Sequence, residues 1–196
     1  MGERKNKKPS HGVSQFFYDH PYMARAILFI IFYLAISATL YVGFNTPVTM
    51  EEARATVEKL KPLFESIIKR GNLEATAWNT FLHNSVMTLI ANTPLLGFLL
   101  MLFSAYQTGL TAKMLVMVSG SPIGFTQIYF KLHTLLELAA YSLAAGESAY
   151  LSPFMFRRRE EEKIPLTPTI AIVILEFSLL WAAAIVESKL IMGGGI

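Results

Sequence analysis

The sequence predicts an all-α fold, a polytopic bundle of transmembrane helices with five spans and one amphipathic helix outside the bilayer. Three observations lead there. Of 196 residues, 53% are hydrophobic and only 16% are charged, whereas roughly a quarter of residues are charged in ordinary soluble domains. The mean hydropathy is correspondingly high, at +0.44. The charges are also gathered between long apolar runs, and helices of about 20 residues cross a bilayer with every backbone group satisfied within the segment. The length suits a single helical domain over residues 26–190, preceded by a basic segment, 1–25, and followed by a Gly-rich tail, 191–196. There is no cysteine, which removes disulfides, thiolate catalysis and cysteine metal sites.

The N-terminal segment carries Arg4, Lys5, Lys7 and Lys8, then the aromatic residues Phe16, Phe17, Tyr18 and Tyr22. Basic residues beside a first span favour a cytoplasmic N-terminus, and aromatics beside it suit the membrane interface. The distance from this cluster to the apolar run is long for a cleaved signal peptide, and no Ala-x-Ala site follows. Ala26 to Phe44 is 19 residues without a charge, one crossing long. Thr49-Met50-Glu51-Glu52 then reads as a capping box opening a helix whose Val57, Leu60, Phe64 and Ile67 share a face. Lys69, Arg70 and Gly71 close it. Its mixed charges make it an extramembrane helix of about residues 50–70, bent at Pro62, lying on the membrane surface or roofing the bundle.

Ala75 to Ala112 is 38 residues without Asp, Glu, Lys or Arg, too long for one untilted span. Asn92-Thr93-Pro94 interrupts it as a turn signal. One kinked helix crossing once, a re-entrant segment and a hairpin of two helices compete. Two crossings keep Arg157, Arg158 and Arg159 on the side of the basic N-terminus, so the positive-inside rule favours five spans. The later four are expected at Thr76 to Ala91, Leu95 to Met117, Gly124 to Tyr150 and Leu166 to Val186. Within the third span Ser104, Thr108 and Ala112 recur every four residues beside Ala105 and Gly109. Such a small-residue row permits close helix approach, whether inside the bundle or between copies of a homo-oligomer. Gly120-Ser121-Pro122 ends that span. The charged loop containing Arg157–Arg159 reads either as a solvated face or as a docking site for a cytoplasmic partner.

His133 and Glu137 lie four residues apart in an otherwise apolar helix, hence on one face. Glu176 and Glu187, in the last span, are close to three turns apart and also share a face. Opposed directions of the last two spans place Glu137 and Glu176 at similar depth. An ionisable group at bilayer depth costs at least ~2.5 kcal/mol on insertion scales and so faces the bundle interior or a polar cavity. Three roles fit this centre. A divalent metal would accept one His and several carboxylates, but His11, His20 and His83 are not spaced to complete a zinc motif. A proton or ion relay would use carboxyls kept neutral by burial. The plainest role is a hydrogen-bonded fastening between helices. No nucleophile elbow or phosphate loop is present, so an enzyme is not expected, nor is a cofactor or metal.

The stretch His133-Thr134-Leu135-Leu136-Glu137-Leu138-Ala139-Ala140 is similar to the H-G-x-x-E-L-x-A signature of the stage II sporulation protein M family. His133, Glu137, Leu138 and Ala140 match in place, and Thr134 replaces the usual Gly. Phe81-Leu82-His83-Asn84 resembles that family's Asn-bearing entry to its second span. Thr108-Gly109 resembles an Asn-Gly pair with Thr for Asn, and Ala182 to Glu187 resembles its C-terminal small-residue run. The likeness spans residues 78–190. It implies a multispanning anchor that assembles with cell-wall hydrolases without being a hydrolase itself.

The expected function is thus a scaffold or localisation subunit of a membrane complex, held together by a polar network of His133, Glu137, Glu176, Glu187 and Asn84. The alternative is a permease subunit or ion-coupled transporter in which the same residues line a path. The expected partners are the lipid bilayer and other membrane-associated proteins. The net charge of +3 comes with no nucleic-acid recognition motif.

Overall fold

The computed structural model describes residues 19–69, 71–156 and 166–193. The basic cluster Arg4–Lys8, Phe16–Tyr18, the docking candidates Arg157, Arg158 and Arg159, and the last three residues of the tail lie outside them. Among the described residues there are seven helices and no strand.

Helix α1 runs Pro21–Asn45, starting before the expected Ala26 and so taking Arg25 into the helix. Proline suits a first-turn position because it lacks an N–H that would otherwise be unpaired. Past its end, the Lys113 ammonium donates to the Thr46 carbonyl over 2.7 Å. Helix α2, Met50–Ile67, opens with the capping box and contains Pro62. The Thr49 N–H donates to the Glu52 carboxylate at 2.9 Å, and the Glu52 N–H donates back to the Thr49 hydroxyl at 3.2 Å. Helix α3, Leu73–Ala91, starts from the Asn72 cap. Its first turns hold the end of α2: Asn79 donates to the Ile67 carbonyl at 3.2 Å, and the Thr76 hydroxyl accepts from the Lys69 N–H at 2.9 Å.

The long uncharged stretch resolves into two helices. A turn follows α3, and α4 then runs Gly97–Ser119. Leu95 sits in that turn with φ of 72°, a region costly for a residue with a Cβ. Its N–H is held by the Ser152 hydroxyl at 2.8 Å. Gly97 is required because any Cβ there would collide with the Ala91 carbonyl. The α4 helix ends on Gly120, whose φ of 65° is left-handed. The span expected from Gly124 to Tyr150 is not continuous. A short helix α5, Phe125–Tyr129, turns aside, and α6 begins at Leu132 and reaches Phe156. Packing explains the break: Phe125 sits 5.2 Å from the Tyr41 ring and 5.6 Å from Phe44, while the Tyr129 hydroxyl bonds Ser37 at 2.9 Å. The last helix, α7, is Leu166–Met192.

Helix α6 is the centre of the bundle and packs against α1, α3, α4 and α7. Its Ala140, Ala144 and Ala145 are fully buried, and the latter two with Leu138 meet Phe32, Ile36, Met101 and Ala105 in the core. The α1–α4 crossing brings the two backbones into contact. A Cβ on Gly43 would land on the Tyr106 carbonyl, and one on Gly109 would land on the Leu40 carbonyl. The predicted small-residue row is therefore partly internal: Ala105 and Gly109 are buried, Ser104 and Ala112 are half-buried, and Thr108 is exposed. The outer surface is apolar, with Ile30, Leu34, Val86, Leu99, Phe103, Ile170 and Ile174 all facing out.

Among the described residues three helices, α1, α4 and α7, are long and apolar enough to cross a membrane, fewer than the five expected. Two further long helices carry interior polar groups, α3 with Asn84 and α6 with His133, Glu137 and Glu147, as α1 does with Arg25 and α7 with Glu176. A helix surrounded by protein needs no apolar exterior, which is why the central α6 reads as polar without exposing its acids.

Candidate functional site

Polar side chains inside the bundle form two tiers along α6. One is built on Glu147, an acid in the small-residue half of that helix. Arg25 reaches it from the first turns of α1 in a bidentate pair, Nε to Oε2 at 2.7 Å and Nη2 to Oε1 at 2.8 Å. Both side chains are almost wholly buried. The Thr169 hydroxyl, from the first turn of α7, donates to Glu147 Oε1 at 2.6 Å and accepts from Arg25 Nη2 at 3.1 Å. The guanidinium lies 3.8 Å from the centre of the Tyr150 ring, a cation–π contact strengthened by the burial of both groups. One ion pair thus ties three helices.

The turn between α3 and α4 docks at this level. The Ser148 hydroxyl donates to the Thr93 carbonyl at 2.7 Å, and Ser152 holds Leu95. Asn92, at the end of α3, donates from Nδ2 both to the Thr88 carbonyl at 3.0 Å and to Glu176 Oε2 at 2.7 Å. Glu176 has no exposed surface and lies close enough to Glu147 for the two carboxyls to interact.

The second tier is built on Glu137. Asn84 of α3 donates to its Oε1 at 2.7 Å. Glu187 of α7 is within electrostatic reach of it, and Lys131 is within reach of Glu187. His133 sits on the same helix face, but among the described residues no hydrogen bond joins it to Glu137, and its buried Nδ1 has no partner. Ser85 and Ser188 likewise contribute buried hydroxyls without partners.

Comparison of the chain with protein-family models, with curated proteins and with solved structures finds no match. The chemistry must be read from the tiers themselves.

Antiparallel α6 and α7 explain their spacing. Glu147 faces Glu176 and Glu137 faces Glu187, so the tiers are ten residues apart on α6, ~15 Å at 1.5 Å per residue. Glu137 and Glu176, expected at one depth, therefore lie in different tiers, and the five predicted network residues do not form a single cluster. Among the described residues, no group of three His, Asp or Glu side chains is placed to hold a metal ion. Sequence reasoning missed Arg25, Glu147, Thr169, Tyr150 and Asn92. Two signals were available: Glu147 is a second acid in an apolar helix, and Arg25 borders the first apolar run with no nearby acid to pair with. Asn92 reads locally as a turn former, and nothing local marks its cross-helix bond.

Proposed function

We propose that this chain is a multispanning membrane protein that serves as a scaffold or localisation subunit of a membrane complex. In this reading α1, α3, α4, α6 and α7 all cross the bilayer and α2 lies outside it. The observation that carries it is how the interior charge is used. Arg25 and Glu147 are committed to each other and to Thr169, so the strongest polar contacts fasten helices together. The wide apolar exterior suits lipid and other membrane proteins.

The same ion pair gathers the start of α1, the C-terminal half of α6 and the start of α7. The basic segment before α1 and the Arg157–Arg159 loop therefore connect on the same side of the bundle, which the positive-inside rule makes cytoplasmic. The capped α2 then belongs to the opposite face. The resemblance to the stage II sporulation protein M family supports an anchoring role of the same kind.

The test is mild crosslinking in the native membrane, followed by affinity recovery and mass spectrometry of near-stoichiometric companions. A scaffold brings down membrane or outer-face proteins. Recovery of a cytoplasmic ATPase would replace this reading with that of a permease subunit, and recovery of the chain alone would remove it.

A further inference from the structure

The pair formed by Glu176 and Asn92 is incomplete. Asn92 Nδ2 already has two acceptors, the Thr88 carbonyl and Glu176 Oε2, and this fixes the amide orientation, since a flipped amide would set oxygen against two oxygens. The remaining atoms of the pair are both acceptors. Glu176 Oε1 and Asn92 Oδ1 are buried, and neither has a donor.

Charge is out of balance at the same place. Glu176 is fully buried on α7, which packs mainly against α6 and α3. From α6 the groups at this level are Glu147 and Tyr150. Arg25 of α1 is the nearby cation, and it is already bound bidentately by Glu147. Helix α3 offers no charge there, since its Glu74 lies at its other end and its His83 at its middle, ~14 Å along the helix from Asn92. A charged Glu176 would be a bare carboxylate with one hydrogen bond beside a second carboxylate, an arrangement that low-dielectric surroundings strongly disfavour.

We propose that Glu176 and Asn92 form a buried proton-binding site in which Glu176 is held as the neutral acid, donating from Oε1 to Asn92 Oδ1. One proton then supplies the missing donor, partners the second orphan oxygen and removes the uncompensated charge. The result is an acid–amide ring bonded on both sides and joining α7 to the end of α3. A bridging water would satisfy the two oxygens but leave the charge in place. Loss of the proton breaks half the ring and puts two carboxylates face to face, so the α3–α7 link loosens as pH rises. The site does not depend on what the bundle assembles with.

The experiment is infrared difference spectroscopy of the full-length protein in lipid vesicles, following the carbonyl stretch of protonated carboxyl groups from mildly acidic to alkaline pH. Glu176→Gln should remove one such band at neutral pH. The protein should stay folded, because a glutamine amide can replace the acid in the ring, donating and accepting on the same sides. Hydrogen exchange in the last turn of α3 should quicken at alkaline pH beyond its intrinsic base dependence in the wild type, and not in Glu176→Gln. Asn92→Ala should shift the wild-type band to the frequency of a carboxyl without this partner, a readout that does not require the glutamine variant to fold. The proposal is overturned if the band persists in Glu176→Gln, if Asn92→Ala leaves its frequency unchanged, or if sodium at fixed pH abolishes it, which would make the occupant a metal cation.

Discussion

The Glu147 and Glu137 tiers use the same residue type on the same helix and solve its burial differently. Glu147 receives a bidentate arginine, a threonine hydroxyl and an aromatic face close to that arginine. Glu137 receives one amide donor, with Glu187 as a second acid nearby. The first arrangement is a neutral junction between three helices and tolerates little change. The second has more acceptors than donors, and each of its contacts is individually weak. Burial of an acid therefore does not by itself mark the structural centre of a helix bundle; the supply of partners does.

The sharpest way to break this contrast is to remove one side of the junction. Arg25→Met leaves Glu147 buried without its cation and should destabilise the fold by about 3–5 kcal/mol, the range seen when a buried pair loses one member. Adding Glu147→Leu should recover much of that, as measured by unfolding in mild detergent. A single variant with wild-type stability would show that the pair does not hold the helices.

The α1–α4 crossing comes next. Gly109→Ala should cost roughly 1–3 kcal/mol as the backbones are pushed apart, while Thr108→Ala, at an exposed position on the same helix, should change stability little. Equal effects at the two sites would contradict the placement of Gly109.

Glu137→Gln should have a smaller effect, below about 1 kcal/mol, because the amide oxygen still accepts from Asn84 and interhelical hydrogen bonds in membranes average ~0.6 kcal/mol. Assembly measured by native electrophoresis should survive. A loss as large as that of Arg25→Met would erase the distinction between the tiers.

The smallest expected effect lies outside both tiers, at the start of α2. The Thr49 backbone N–H, followed by its hydroxyl, holds the Glu52 carboxyl below its ordinary value. The folded state thus binds this proton less readily than the unfolded one. The capping contribution is complete above the ordinary carboxylate range and is lost as pH falls through the Glu52 value. The protection of the amides at Thr49 and in the first turn of α2, measured relative to their intrinsic exchange rates, should fall on acidification and stay constant in Glu52→Gln.

Helix ends were the most legible part of the sequence. The Thr49–Glu52 box, the break at Asn92–Pro94 and the stop at Gly120 are local chemistry, and local chemistry is written in consecutive residues. The break at Phe130 and Lys131 was not, because it follows from where Phe125 and Tyr129 find aromatic and hydroxyl partners on α1. The site was legible in kind and not in arrangement. Buried acids stand out in apolar helices, so Glu137 and Glu176 were visible, but which pairs with which depends on helix register. The link from Arg25 to Glu147 spans 122 positions, and no periodicity within either helix carries that information.

That separation also sets an order of events. If α1 crosses the bilayer as proposed, it reaches the membrane with Arg25 near its start, long before α6 is made. Until Glu147 arrives, the guanidinium is cheapest at the headgroup level, where its long side chain can reach water and lipid phosphates. On the proposed membrane-spanning reading, the vertical position of α1 is then settled only when α6 is in place, so a helix made early is finished late.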